Sequence, residues 1–267
     1  MLTITNYDGI IIGAGQAGVP LSTTLAMAGW KTALIERVHV GGTCVNEGCT
    51  PSKTMIASAR VAYLAKRGAD YGVHTEPVTV DMVKVRERKR NMVTAFRSSD
   101  EHRIESTKGV DLLMAEARFT GPKTVEVRLH NGETRQLRAN TIFLNVGARP
   151  AVPSLSGLEQ VNALNSTTIM ELATVPEHLL IIGGGSVGLE FGQMFRRFGS
   201  QVTIVELSGH LLTHEDDDVA DEVAKILRED GIEVLLQTNT IRVEQPAADT
   251  ILLTVHGPDG ERTVSKM

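Results

Sequence analysis

The sequence is short of cysteine, aromatic residues, net positive charge and long apolar runs, and each shortage removes a class of protein. Two cysteines in 267 residues do not make the disulfide framework of a small secreted domain. No run of about 18 apolar residues is present to cross a bilayer, so no membrane partner is expected. Aromatic residues are only 4% of the chain, which leans towards cores of Ala, Val, Ile and Leu. The formal net charge is −5. The basic run at 84–90 is broken by Glu87 and reads as a solvated helix face, so no nucleic-acid partner is expected. The first eight residues carry no basic segment ahead of an apolar one, as a secretory signal would, and a cytoplasmic location is the expectation.

What the chain does have is glycine, 25 residues of it, placed at a repeating interval. Gly13, Gly15, Gly18 and Gly29 recur as Gly183, Gly185, Gly188 and Gly199, and Glu36 recurs as Glu206, each pair 170 positions apart. Each G-x-G-x-x-G follows an apolar strand and opens an amphipathic helix. Each is followed, 18 residues after its last glycine, by a glutamate closing a second strand. That combination is the dinucleotide fingerprint. The first two glycines let backbone approach a pyrophosphate at a helix N-terminus, where the amide dipoles favour an anion. The third lets helix and strand pack closely, and the carboxylate takes the ribose hydroxyls. Two copies mean two nucleotide sites. Glu206 would repel a 2′-phosphate, and no Arg or Lys lies in 207–212 to receive one, so NADH is expected over NADPH at the second site.

Both cysteines lie directly after the first copy, in Gly41-Gly42-Thr43-Cys44-Val45-Asn46-Glu47-Gly48-Cys49-Thr50-Pro51-Ser52-Lys53. On an ideal helix, residues five apart have Cα atoms roughly 8.6 Å apart, beyond the roughly 7 Å that a disulfide spans. Either the pair never bridges or the helix start is distorted to bring it together. Gly48 would supply backbone freedom, and Pro51 suits a first helical turn. A strained bridge is easily reduced, and a helix start favours thiolate over thiol. Zinc sites want shorter spacing and further ligands, so no metal site is expected. A thiol pair beside a dinucleotide site points to electron transfer between a cofactor and a disulfide.

Elsewhere the pattern predicts helices at 54–68 and 81–107, and short strands over 110–146 with turns at Gly121-Pro122 and Asn131-Gly132. Pro150, Pro153 and Gly157 mark a crossover. They divide the chain into a domain at 1–149, whose nucleotide site beside the cysteines should hold a tightly bound redox cofactor, and a domain at 150–267, whose site should hold an exchangeable one. The acidic run 215–218 reads as the N-terminal turn of a helix at 216–230, not as a metal site. Strands are expected near 232–236, 238–245 and 250–256, and the chain stops inside what reads as an unfinished strand.

Taken together, these motifs resemble the class I pyridine nucleotide–disulfide oxidoreductases, the family of dihydrolipoamide dehydrogenase, glutathione reductase and mercuric reductase. The signature Gly-Gly-x-Cys-x-Asn-x-Gly-Cys stands at 41–49, and Pro51-Ser52-Lys53 is closer to the dihydrolipoamide dehydrogenase and mercuric reductase branches. The resemblance implies an α/β fold of two Rossmann-like dinucleotide-binding domains, the second incomplete. It implies that Gly13, Gly15, Gly18, Glu36, Gly42, Thr43 and Lys53 hold FAD, with Ala115 near the adenine and Gly147 in the hinge. Gly183, Gly185, Gly188 and Glu206 would hold NAD. Cys49 would be the thiolate beside the flavin, Cys44 the interchange thiol, and Lys53 would lie near the flavin paired with Glu190. The substrate would be a small disulfide, a dithiol or a metal ion, and the full-length parent a homodimer. Two features depart from the family. Its Ala-Thr-Gly hinge reads Asn145-Val146-Gly147 here, and the second FAD segment and the interface domain with its His-Pro…Glu base do not occur within these residues. The chain is therefore expected to bind FAD weakly or not at all. A non-catalytic nucleotide-binding fragment is the alternative, and a related NADH oxidase is disfavoured by the Cys44/Cys49 pair.

Overall fold

The computed structural model describes residues 4–247 and 250–266. The chain folds as two compact units, Met1–Pro51 with Lys89–Arg149, and Ser52–Arg88 with Pro150–Met267. It is mixed α/β. Its first half runs β1 (Ile4–Ile12), α1 (Gly18–Met27), β2 (Thr32–Glu36), α2 (Gly42–Asn46), α3 (Cys49–Lys66), α4 (Met82–Ser106), β3 (Val110–Gly121), β4 (Thr124–Leu129) and β5 (Thr134–Leu144). Its second half runs β6 (His178–Ile182), α5 (Ser186–Phe198), β7 (Gln201–Val205), α6 (Asp217–Glu229), β8 (Glu233–Leu235), β9 (Asn239–Ala247), β10 (Thr250–Gly257) and β11 (Gly260–Lys266).

In the first unit β1, β2 and β3 pair in parallel, β3, β4 and β5 antiparallel, and β5 returns to pair in parallel with β1, closing the sheet. The two-residue period of a strand sends alternate side chains to opposite faces. Ile10 and Ile35 accordingly join Val125, Val127 and Leu137 in one cluster. Their neighbours Ile11 and Leu34 join Val19 of α1 and Ile104 of α4 in another. The β4–β5 turn falls at Asn131-Gly132, where Gly132 has φ +87° and the Asn131 side chain accepts the Glu133 amide proton.

The second unit repeats the β-α-β arrangement with β6, β7 and β8 in parallel, beside an antiparallel meander of β9, β10 and β11. The 170-residue repeat survives in the strand register. Gly9 faces Thr32 and Ile12 faces Ile35 in the first unit, as Leu179 faces Val202 and Ile182 faces Val205 in the second. Helix α5 buries Leu189, Phe191, Met194, Phe195 and Phe198 on one face. Phe195 and Phe198 meet edge to face with centroids 5.9 Å apart. Arg196 and Arg197 occupy its last turn, where cations complement the helix dipole. The acidic run opens α6, with Asp216 at the N-cap position and Asp217 and Asp218 in the first turn. Among the described residues no helix is long and apolar enough to cross a membrane.

Candidate functional site

The two fingerprint loops share their main-chain bond to the neighbouring strand and their glutamate bonds. In the first, the Gly13 amide donates to the Ile35 carbonyl at 2.8 Å; in the second, the Gly183 amide donates to Val205 at 2.8 Å. Glu36 accepts from the Ala14 amide at 3.0 Å and the Val38 amide at 2.7 Å. Glu206 accepts from the Gly184 amide at 2.6 Å and the Ser208 amide at 2.8 Å. Each glutamate therefore ties its loop to the end of its strand with both oxygens. Burial alone would raise the Glu206 carboxyl, but the amide protons of Ser208 and Gly184 outweigh it and hold the group below the usual carboxylate range.

The glycines separate into those that the fold needs and those that it does not. Gly13 and Gly183 sit at φ +105° and +102°, which side-chain-bearing residues rarely adopt. A Cβ on Gly18 would lie 2.0 Å from the Gly13 carbonyl oxygen, and one on Gly188 would lie 2.5 Å from that of Gly183. These third glycines let the helix start press against the loop. Gly185 is different. Its backbone is extended, with φ −78°, and a Cβ there would meet nothing within 4 Å. Gly15 would meet only loose neighbours, at 3.4 and 3.8 Å. Nothing inside the chain requires glycine at these two positions, so the bareness serves whatever lies outside the backbone. Each faces the start of a helix, α1 or α5, and an anion held by helix-terminal amides needs that room. The residues present fit a dinucleotide pyrophosphate at both loops.

The cysteine segment is docked on the first loop. The Gly41 amide donates to the Ala14 carbonyl at 2.7 Å. Gly42, at φ +60°, packs so closely that a Cβ on it would be 2.7 Å from the Gly15 Cα. The cysteines do not share one helix: Cys44 lies in α2 and Cys49 begins α3, with Glu47 and Gly48 between. Cys44 is half-buried and Cys49 exposed. Gly48 acts here through size and not through a left-handed backbone, since a Cβ on it would lie 3.0 Å from the Thr43 carbonyl oxygen and 3.3 Å from the Cys44 Cα.

Lys53, on α3, places Nζ 2.7 and 2.8 Å from the two carboxylate oxygens of Glu190 on α5. Both side chains are well exposed, so the pair contributes at most about 1 kcal/mol to stability. Thr43 is exposed in α2 and Gly147, at φ +68°, is exposed beyond β5. Ala115 lies on β3 with its side chain in the barrel core.

Sequence reasoning passed over three side chains that hold these loops. Asn46 donates from Nδ2 to the Val40 and Gly42 carbonyls at 2.9 and 2.8 Å. Arg97, on α4, donates from Nε to Asn46 Oδ1 at 2.8 Å. Asn145 donates from Nδ2 to the Gly13 carbonyl at 3.2 Å. The asparagine within the cysteine signature was a signal for the first. Arg97 carried none, because nothing local marks it.

A closed sheet bearing a glycine-rich loop, a cysteine pair docked on that loop, and a second such loop between β6 and α5 define a protein of the Rossmann-like dinucleotide-binding class. The chain belongs to the pyridine nucleotide-disulphide oxidoreductase family, which it matches over residues 7–266. Members of this family bind FAD and NAD(P). It is 37% identical to mercuric reductase of Bacillus cereus over 240 residues, covering 90% of this chain and 37% of that protein. It is 35% identical over 243 residues to the probable pyridine nucleotide-disulfide oxidoreductase RclA of Escherichia coli K12, covering 90% and 51%. With dihydrolipoyl dehydrogenase of Chlamydia pneumoniae the identity is 33% over 254 residues, covering 94% and 53%. Among solved structures, the HOCl-induced flavoprotein disulfide reductase RclA of Escherichia coli, as its Cu(II) complex, gives a TM-score of 0.82 at 33% identity, covering 97% of this chain and 55% of that one. The chain thus spans about half the length, or less, of these relatives.

Proposed function

We propose that this chain carries the cofactor and dithiol half of an FAD-dependent oxidoreductase, which passes electrons between NAD(H) and a small disulfide, dithiol or metal-ion substrate. The observation that carries the reading is the cysteine segment seated on the first fingerprint loop through Gly41 and Gly42. It brings the thiol-bearing turn to the nucleotide loop within one unit.

In this reading Gly13, Gly15, Gly18, Glu36, Gly42 and Thr43 hold FAD, with Ala115 contributing main chain near the adenine and Gly147 lying in the hinge. Gly183, Gly185, Gly188 and Glu206 hold NAD. When bound, the flavin supplies two-electron transfer between nicotinamide and the cysteine pair. In the reducing direction, two electrons and a proton open the Cys44–Cys49 bond, leaving a thiol at Cys44 and a thiolate at Cys49. Deprotonated Cys44 attacks one sulfur of a substrate disulfide and expels the other as a thiolate. Cys49 then attacks Cys44 Sγ, re-forms the protein disulfide and releases the second thiol. With a metal ion the same two thiolates act as ligands. Lys53, with Glu190 fixing its ammonium, supplies positive charge beside the flavin. Glu206 and the lack of Lys or Arg in 207–212 favour NADH over NADPH.

The test is a set of titrations on the 267-residue chain with FAD, NADH and NADPH, followed by NADH-dependent reduction of a small aromatic disulfide. The reading expects a bulky replacement of Gly15 to block whatever flavin the chain takes up, and NADPH to bind more weakly than NADH. Flavin uptake indifferent to Gly15 would refute the assignment of the first loop, and equal nucleotide affinities would refute that of Glu206.

A further inference from the structure

The peptide joining Gly13 to Ala14 is held at both ends by side chains from different strands. Its N–H donates to Glu36 Oε2 at 3.0 Å, and its carbonyl accepts from Asn145 Nδ2 at 3.2 Å. Glu36 closes β2, and Asn145 follows β5, 132 positions from Gly13. Asn145 is also fixed through its main chain, since its amide donates to the Ile12 carbonyl at 2.8 Å. It fills the space behind all three glycines. A Cβ on Gly13 would meet the Asn145 carbonyl oxygen at 2.1 Å, and Cβ atoms on Gly18 and Gly15 would meet Nδ2 at 2.9 and 3.4 Å.

In the second loop the Leu212 amide donates to the Gly184 carbonyl at 3.0 Å, as Gly41 does to Ala14 in the first, but among the described residues no side chain donates to the Gly183 carbonyl. The corresponding peptide, Gly183–Gly184, is held at its N–H by Glu206 at 2.6 Å. A Cβ on Gly183 would meet nothing within 4 Å. Two loops that share a motif and a glutamate bond therefore differ in what stands behind the first peptide.

We infer that Asn145 is a positioning residue which, with Glu36, locks the Gly13–Ala14 peptide in one orientation and makes the first loop a preformed cradle for the retained cofactor. The second loop keeps its strand, glutamate and Leu212 bonds but has no such side chain on the Gly183 carbonyl among the described residues, and is left more adaptable for a nucleotide that comes and goes. The physical reason is polarity. Rotating the peptide would turn its carbonyl towards the Glu36 carboxylate and its N–H towards the Asn145 amide N–H, setting acceptor against acceptor and donor against donor. A loop fixed before binding spends no binding energy on being ordered. The inference rests on the assignment of FAD to the first loop, and its test separates the two.

The decisive variant is Asn145→Asp, of nearly the same shape but with an acceptor where the donor stood. Asn145→Ala removes the donor alone. Hydrogen exchange of the 267-residue chain, followed by mass spectrometry, compares segment 13–18 with segment 183–188. Loss of one buried hydrogen bond corresponds to about a tenfold change in an equilibrium. Segment 13–18 should exchange roughly tenfold faster in Asn145→Ala and faster still in Asn145→Asp, with 183–188 unchanged. Where FAD binds the wild-type chain, its affinity should fall by about the same factor, with NADH affinity unaltered. If either variant fails to fold, Asn145→Ser, which keeps a hydroxyl donor, replaces it and should show a smaller increase. Unchanged exchange at 13–18 in the folded variants overturns the lock, as does an equal change in both loops. Faster exchange with undiminished FAD affinity leaves the lock standing and overturns its role towards FAD. Where the wild-type chain takes up no FAD, exchange at 13–18 alone decides the lock.

Discussion

Replacing Glu206 with Gln separates the two roles that a fingerprint carboxylate combines. Glu206 accepts the Gly184 amide proton at 2.6 Å and that of Ser208 at 2.8 Å. Gln keeps one acceptor oxygen and turns an NH2 towards the other amide, so one of the two bonds is lost. A hydrogen bond to a charged group is worth about 1.5–3 kcal/mol, and the half-buried position argues for the lower end, about 1.5 kcal/mol. For a chain of this size that is a fall in melting temperature of about 3–6 °C. The change also has a pH signature. The folded-state pKa of Glu206 is depressed, so at acidic pH the unfolded chain binds more protons than the folded one. The contribution is complete above the unfolded carboxylate value of about 4.3 and is lost as pH falls through the lower folded value. The stability gap between wild type and Glu206→Gln should be widest near neutral pH and narrow progressively below about pH 4. Urea denaturation across that range measures it. A gap of the same size at every pH, or no gap at pH 7, would refute the account of Glu206 as the anchor of its own loop. The same bonds qualify Glu206→Arg as a route to NADPH: the variant loses both anchors, so improved NADPH binding has to overcome a loosened loop.

Other outcomes follow from the same geometry. Gly185→Ala should leave thermal stability within about 1 kcal/mol of wild type, because the new methyl meets nothing. It should still weaken NADH binding tenfold or more, by occupying the room a pyrophosphate needs. Gly188→Ala should instead destabilise the fold itself, as its methyl would lie 2.5 Å from the Gly183 carbonyl oxygen; equal stabilities for the two variants would contradict the division drawn between these glycines. Arg97→Ala should release the Asn46 amide and with it the turn bearing Cys44, costing about 1–2 kcal/mol. In the reduced chain, iodoacetamide labelling of Cys44 should quicken severalfold relative to Cys49, and an unchanged labelling ratio counts against the clamp. Thiol titration of the native, air-oxidised chain should find no reactive thiol until a reductant is added, and two thiols at the outset would sink the Cys44–Cys49 disulfide.

Much of this was legible because a short-range spacing carries it. The repeat of glycines and glutamates at an interval of 170 reappears as matching strand register and matching amide–carboxylate bonds, since each βαβ unit is closed by contacts within about 25 residues. The break between the cysteines was legible only as a pair of alternatives. An unbroken helix keeps Cys44 and Cys49 apart and a distorted one does not, and the choice depends on how tightly Gly48 packs against Thr43. Arg97 was illegible for a different reason. It meets Asn46 across 51 residues, and among so many arginines on a charged helix nothing in the order of residues singles it out.

The same limit explains why the motif alone cannot distinguish a loop that retains its nucleotide from one that exchanges it. Both loops carry the three glycines, the helix start and the glutamate. They differ in what stands behind the first peptide, and at the first loop that is the end of β5, brought alongside β1 by a parallel pairing that runs from Ile4–Gln136 to Ile12–Leu144. A parallel neighbour joins through a long connection and leaves no local trace. Asn145 in the hinge was visible as a departure from the family pattern. Its meaning appears only when closure of the sheet sets its amide against Gly13. The glycine fingerprint thus specifies the shape of a loop, and on the inference drawn from Asn145 the strand that closes behind it sets how firmly that shape is held.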